Sequence, residues 1–265
     1  MNCVNPAYLE PAKAQELSLQ FQNGEPYKHI ILDNFLQADI ANALYDHFPS
    51  VEKLSKHYKG LNENKSEGSN FSDFHPSFMQ VRNCLMSKDF SKWMEQVTGI
   101  RDVFITDDNL GTGLHQGGDG SFLDIHVDFN IHHLKNVHRR LNLLIYLNKN
   151  WKPEYGGAME MWNADMTRLE KKVPCDFNRC LIFQTSEISY HGYSKINLPP
   201  GQTRKSFFAY FYTQPTAETL KNLKYHDTVF KAKPEDSAMK KVGTNVKETA
   251  KNFVKASLKK MGVKF

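Results

Sequence analysis

No stretch of this chain has the roughly 18 consecutive apolar residues that a membrane-spanning helix requires. No Cys-x-x-Cys pair occurs either, and four cysteines in 265 residues (Cys3, Cys84, Cys175 and Cys180) are too few for a disulfide framework. They read as reduced thiols in a cytosolic protein. The opening residues, Met1-Asn2-Cys3-Val4-Asn5-Pro6, lack a basic segment followed by an apolar one, so no secretory leader is expected and the protein is placed in the cytoplasm. The glycines Gly111, Gly113, Gly117, Gly118 and Gly120 fit neither a dinucleotide-binding nor a phosphate-loop spacing, and no helical pattern follows them; a turn beside a site is the reading that remains. Aromatic residues do not interleave the lysines near the C-terminus, which disfavours a nucleic-acid partner that would need stacking platforms.

The net charge of +5 comes from one end of the chain. Ten lysines between positions 231 and 265 face only Glu235, Asp236 and Glu248, so the remainder is slightly acidic. Val242, Val246, Phe253, Val254, Leu258 and Met261 recur there at roughly helical spacing, which predicts a basic amphipathic tail over 217–265 that packs on the body or on a partner. With 40% hydrophobic residues the chain can bury one good core, and a single enlarged domain is expected. The first hundred residues read as a helical cover. Ile40, Leu44, His47 and Phe48 lie on one face of a helix over 37–48 that stops at Pro49, and Phe78 to Val97 suit one or two helices ending at Gly99. The polar stretch from Lys59 to Asp73 reads as a mobile loop. From 101 to 216 short strands alternate with Gly and Pro punctuation, the pattern of a sandwich or jelly roll.

Within that region Phe122 to Phe129 alternates apolar and polar residues. On a strand, Asp124, His126 and Asp128 would share one face, with Leu123, Ile125, Val127 and Phe129 on the other. Two imidazoles and one carboxylate can hold a metal on one side and leave the other open to substrates, and His191 in Ser189-Tyr190-His191-Gly192 is a third potential ligand. In a chain with 11 histidines a His-x-Asp pair alone says little. His132, His133 and His138 are competing imidazoles that read as loop residues. A second strand, from Gly201 to Tyr212, would place Arg204, Ser206, Phe208 and Tyr210 on one side. A buried guanidinium calls for a carboxylate, and that strand supplies none, so a dicarboxylic ligand could be its partner, with the Ser206 hydroxyl assisting. An exposed edge arginine is the alternative.

With these residues the chain resembles the 2-oxoglutarate- and Fe(II)-dependent oxygenases, specifically the prolyl 4-hydroxylase-like branch. The resemblance runs from about Gly111 to Thr213, with a looser match over Pro26 to Leu36. It includes His126-x-Asp128, His191, the run Arg139 to Trp151, Tyr155-Gly156-Gly157-Ala158-Met159-Glu160-Met161-Trp162, and Pro174 to Phe183. It implies a double-stranded β-helix (jelly roll, cupin-like), mainly β, whose outer face is covered by the N-terminal helices through Ile125, Val127, Leu143, Ile145, Phe207 and Phe211. It implies Fe(II) on His126, Asp128 and His191, and a distal carboxylate of 2-oxoglutarate on Arg204, with Ser206, Tyr146 and Gln116 as further contacts. Tyr146 shares a strand face with Asn142 and Leu144, and a buried phenol needs a hydrogen-bond partner. Met159 could line the same pocket.

Dioxygen is the cosubstrate that the resemblance adds, with ascorbate as a candidate reductant. The expected reaction is hydroxylation of an unactivated aliphatic carbon, with succinate and carbon dioxide released. The family's halogenases lack the carboxylate that Asp128 supplies. The expected substrate is an amino acid, small peptide or biosynthetic intermediate, with a prolyl or other side chain of a protein as the alternative. A jelly-roll module that binds metal without turnover is a second alternative. Hydrolytic zinc chemistry is disfavoured, since it has no use for an arginine set to receive a dicarboxylate.

Overall fold

The computed structural model describes residues 2–247. Its N-terminal part is helical: α1 (Pro11–Gln22), α2 (Ala38–Asp46), α3 (Pro76–Leu85) and α4 (Lys88–Thr98), with β1 (His29–Leu32) between the first two. Each helix presents an apolar stripe, such as Phe90, Trp93, Met94 and Val97 in α4, and that helix ends where Gly99 takes up φ 73°, the left-handed conformation open to glycine. The expected helices are therefore present, two of them between positions 76 and 98.

The remaining strands are β2 (Lys56–Lys59), β3 (Glu63–Gly68), β4 (Phe104–Ile105), β5 (Thr112–Gly117), β6 (Phe122–Val127), β7 (His138–Tyr146), β8 (Met159–Trp162), β9 (Leu169–Val173), β10 (Arg179–Gln184), β11 (His191–Tyr193), β12 (Arg204–Thr213) and β13 (Val229–Phe230). They pair in the order β1-β10-β7-β12-β5-β3-β6-β11-β8-β9, with each of these pairings antiparallel. The first five form one wall of the jelly roll, β6, β11, β8 and β9 form the other, and β3 joins the two. A short helix, α5 (Ala217–Asn222), follows β12.

Alternation along the strands sorts the first wall's side chains. Leu141, Leu143 and Ile145 of β7, with Phe207, Ala209 and Phe211 of β12, face outward into one apolar cluster with all four N-terminal helices. Leu144, Tyr146 and Phe208 face inward into a second cluster with Met159, Met161, Leu181 and Phe183. The helical cover thus uses Leu143, Ile145, Phe207 and Phe211 as expected. Ile125 and Val127 are buried but lie outside that cluster, because β6 belongs to the opposite wall. Phe211 meets Phe90 at 6.0 Å between ring centres, so Phe211→Ala should cost about 3–5 kcal/mol. Urea unfolding checks this, and a midpoint equal to wild type would contradict the packing.

Two expectations are corrected. The stretch from Lys59 to Asp73 is not a mobile loop: β3 within it pairs with β2, β5 and β6, and Phe71–Asp73 is a 3-10 turn. It lacks an apolar alternation because its inward side chains face a polar cavity. The cysteines are not all reduced, since Cys3 and Cys84 are disulfide-bonded with Cα atoms 6.2 Å apart, while Cys175 and Cys180 are free and buried. These two partners are 81 residues apart in sequence and meet only through packing of α3 against the N-terminal segment. In the tail, residues 238–247 are helical, but Val242 and Val246 are exposed and Thr244 is the buried residue. Phe253, Val254, Leu258 and Met261 lie outside the described residues.

Candidate metal centre

Strands β6 and β11 set the two histidines opposite each other, His191 across from His126. Between His126 and Leu123 the β6 side has one residue more than β11, a bulge that interrupts the period-2 alternation. Leu123 therefore lines the central cavity together with His126, while Asp124 turns away to pair with Lys240 at 2.9 Å. Gly192 is required at this bulge, because a Cβ there would lie 2.5 Å from the Leu123 carbonyl oxygen. Each imidazole is oriented by a backbone carbonyl two residues earlier: Nδ1 of His126 lies 2.9 Å from Asp124 O, and Nδ1 of His191 2.8 Å from Ser189 O. A carbonyl can only accept, so Nδ1 carries the proton and Nε2 keeps a lone pair for a metal. Asp128 follows the end of β6, with Oδ1 3.6 Å from His126 Nε2 and Oδ2 3.3 Å from His191 Nε2. One ligand atom from each of the three lies within 4.8 Å of the others.

The protonation states suit a metal. Burial, together with the neighbouring His191, lowers the His126 pKa, which keeps the ring neutral. Burial works against the Asp128 carboxylate, but the Arg139 cation and His191 hold it well below the usual carboxylate range. Arg139 and Asn142 are the contacts that the sequence reading missed: Asn142 Nδ2 donates to Asp128 Oδ2 at 2.7 Å, and Arg139 Nη2 lies 3.2 Å from the same oxygen. Arg139 was hidden by a second irregularity, where β7 advances two residues, Leu141 to Arg139, for one on β12. Strict alternation would have turned it outward with Leu141 and Leu143.

Arg204 enters the cavity from the start of β12. Its Nε donates to the Gly157 carbonyl at 2.8 Å and its guanidinium lies over Tyr193 at 4.2 Å and Tyr146 at 5.1 Å. Gly157 sits at φ 74°, and a Cβ on it would come within 3.0 Å of Arg204 Cδ. Nη2 of Arg204 and the hydroxyl of Tyr146 are buried with no hydrogen-bond partner, and no carboxylate among the described residues pairs with Arg204. Ser206 stands across the ladder from Tyr146, and both Ser206 and Met159 border the cavity. These orphaned donors are what a carboxylate ligand would satisfy.

Gln116 is elsewhere. Its Nε2 donates to Thr203 Oγ1 at 2.9 Å and it lines a separate polar cavity with Gly117 and Gly118. The adjacent residue, His115, occupies the central cavity instead, stacked on Phe208 at 4.3 Å; the pleat puts neighbours on opposite faces. None of His132, His133 and His138 borders the central cavity, and His132 pairs with Asp108 at 2.9 Å. The cavity, about 250 Å³, is completed by Lys56, Tyr58, Lys65 and Glu67 of the β2–β3 hairpin and by Phe230 of β13, whose ring is 5.4 Å from that of His126. The hairpin's polar sequence and the two-residue length of β13 gave no signal of this placement.

Comparison with known proteins fits this arrangement. Residues 112–212 match the model of the 2OG-Fe(II) oxygenase superfamily, a span that contains all three candidate ligands and Arg204. Residues 112–212 thus carry the 2OG-Fe(II) oxygenase pattern, and the fold around them is similar to that of prolyl 4-hydroxylases. Over 193 residues it is 25% identical to mouse prolyl 3-hydroxylase OGFOD1, a match covering 71% of this chain and 33% of that protein. The chain therefore spans about a third of the length of the curated relative it matches. Among solved structures, a Pseudomonas putida prolyl-4-hydroxylase superposes with TM-score 0.53 at 17% identity, over 74% of this chain and 98% of the other. A Trichoplax adhaerens prolyl hydroxylase in complex with a hypoxia inducible factor peptide gives 0.54 at 16%, over 80% and 96%. HygX from Streptomyces hygroscopicus, with nickel, 2-oxoglutarate and hygromycin B bound, gives 0.52 at 11%, over 79% and 96%. At these identities the solved structures establish the shared jelly-roll fold.

Two imidazoles, His115 in the cavity and His138 outside it, make the fold acid-sensitive. Burial, with Lys65 nearby, lowers His115 from 6.5 to about 4, and burial lowers His138 likewise to about 4. Above about pH 6.5 these rings are neutral in both the folded and the unfolded chain. Between about pH 6.5 and 4 the unfolded chain takes up protons that the folded chain refuses, so stability falls as pH falls. The thermal midpoint of the metal-free protein should drop over that window, and His115→Gln should make the drop shallower. An unchanged pH profile in His115→Gln would contradict the assignment.

Proposed function

We propose that this oxygenase hydroxylates an unactivated aliphatic C–H bond, with a prolyl or similar side chain of a peptide as the substrate class. The observation that carries the reading is the sharing of one cavity by the His126, Asp128 and His191 ligand set and the unpaired Arg204 guanidinium. The residues fit both groups: two Nε2 atoms and one carboxylate for Fe(II), and Arg204, Tyr146 and Ser206 for the distal carboxylate of 2-oxoglutarate. When bound, iron and 2-oxoglutarate supply oxidative decarboxylation and hydrogen abstraction, with succinate and carbon dioxide released. The protein's own contribution is positional. Carbonyl acceptors fix both imidazoles, Arg204 sets the orientation of the dicarboxylate along the cavity, and the packed rings of Phe183, Phe208 and Tyr210 limit water at the inner wall.

The peptide class is supported by the likeness to OGFOD1 and to the peptide-bound Trichoplax enzyme. The cavity lining supports it too, since Lys56 and Lys65 of the hairpin add polar groups beyond the ligand set and Arg204. A free small molecule is the second reading, favoured by the fold shared with the hygromycin-bound HygX. The test is succinate formation from 2-oxoglutarate with Fe(II) and dioxygen, stimulated by proline-containing peptides or by free amino acids. Peptide stimulation coupled to a mass gain of one oxygen supports the proposal. Stimulation by free amino acids alone, or succinate formation that needs no iron, contradicts it.

A further inference from the structure

Arg139 heads the fully buried side chains by size, and it lies on the metal side of the cavity. A buried cation persists only when paired and hydrogen-bonded. Here the pairing has a direction. Nε and Nη2 of Arg139 both donate to Asn142 Oδ1, at 2.9 and 2.7 Å. Two donors on that oxygen fix the amide, so its nitrogen is the atom that meets Asp128 Oδ2 at 2.7 Å. Arg139 also reaches Oδ2 directly at 3.2 Å, and its guanidinium carbon lies 3.5 Å from the centre of the Tyr210 ring and 4.6 Å from that of Phe129. The same Oδ2 lies 3.3 Å from His191 Nε2, and the other oxygen, Oδ1, faces His126 Nε2 at 3.6 Å.

We infer that Arg139 and Asn142 are positioning residues that grip Asp128 by Oδ2, so that the carboxylate is held in one orientation toward the Nε2 atoms of His126 and His191 and would meet a metal there without reorienting. The inference rests on the metal reading above and deepens it. A carboxylate free to rotate could take two positions on the metal, and a facial site works only with open ones. A pair that merely neutralised a buried acid would need neither the amide relay nor the aromatic contacts. Among the described residues no second acidic group pairs with Arg139, and its fork meets Asn142 and Asp128.

The test is Mn(II) titration of the full chain, with free Mn(II) followed by electron paramagnetic resonance, and the visible absorption of the Co(II)-loaded protein. Asn142→Ala should weaken Mn(II) binding about 10- to 100-fold, the usual effect of losing an outer-shell partner, and should alter the Co(II) bands. Arg139→Lys keeps the charge but loses the fork, and should share the loss of affinity. Wild-type Mn(II) affinity and Co(II) bands in both variants, whatever their thermal midpoints, would overturn the inference. A wild-type chain that binds no Mn(II) would overturn the metal centre itself, and the inference with it.

Discussion

His126→Ala should abolish metal-dependent turnover. The ring supplies one of three ligand atoms, and no other histidine among the described residues joins the cluster that could replace it. Loss of a direct ligand should exceed the roughly 10- to 100-fold drop in metal affinity expected when an outer-shell partner is removed. Succinate formation should then fall to the background of the metal-free protein. The fold should survive, because the outer apolar cluster that holds the helices to the first wall does not include β6. Metal affinity and circular dichroism measured on the same sample separate the two effects. Full retained turnover in a folded variant would show that the ligand set is wrong.

Arg204→Ala should act on the cosubstrate with little effect on the metal. Burial works against the Arg204 cation, but Cys175, Tyr146 and Tyr193 around it raise its pKa, so the guanidinium remains charged and available for a carboxylate. A hydrogen bond to a charged group contributes about 1.5–3 kcal/mol, which corresponds to roughly 10- to 150-fold in 2-oxoglutarate affinity. The KM for 2-oxoglutarate should rise by that factor while Mn(II) affinity stays near wild type. Equal losses of both would place Arg204 in the metal's own surroundings, and an unchanged KM would move the carboxylate site elsewhere. Tyr146→Phe removes only the neutral hydroxyl and should produce a smaller shift in the same direction.

Sequence pattern reached the chemistry where strands are regular and failed where they are not. Alternation along β12 put Arg204, Ser206 and Tyr210 on the cavity face, and the structure has all three there. The same rule put Asp124 beside His126, and the bulge in β6 turned it toward Lys240. A further irregularity in β7 brought Arg139 inward, against its parity. Gln116 was assigned from family position, although its neighbour His115 has the inward parity on β5. The hairpin of β2 and β3 was unreadable for another reason. A strand that lines a polar cavity need not alternate apolar with polar residues, so Lys65 and Glu67 resemble loop composition. Nor could sequence bring Cys3 to Cys84 or Phe230 to His126, since both contacts depend on how distant segments close on the core.

The most direct test of the whole account is a crystal structure of the chain grown anaerobically with Mn(II) and 2-oxoglutarate, with the metal located by anomalous scattering. The account predicts one ion bound by Nε2 of His126, Nε2 of His191 and an oxygen of Asp128, with the distal carboxylate of 2-oxoglutarate on Arg204. An ion held by other residues, or a dicarboxylate that leaves Arg204 unpaired, would contradict it.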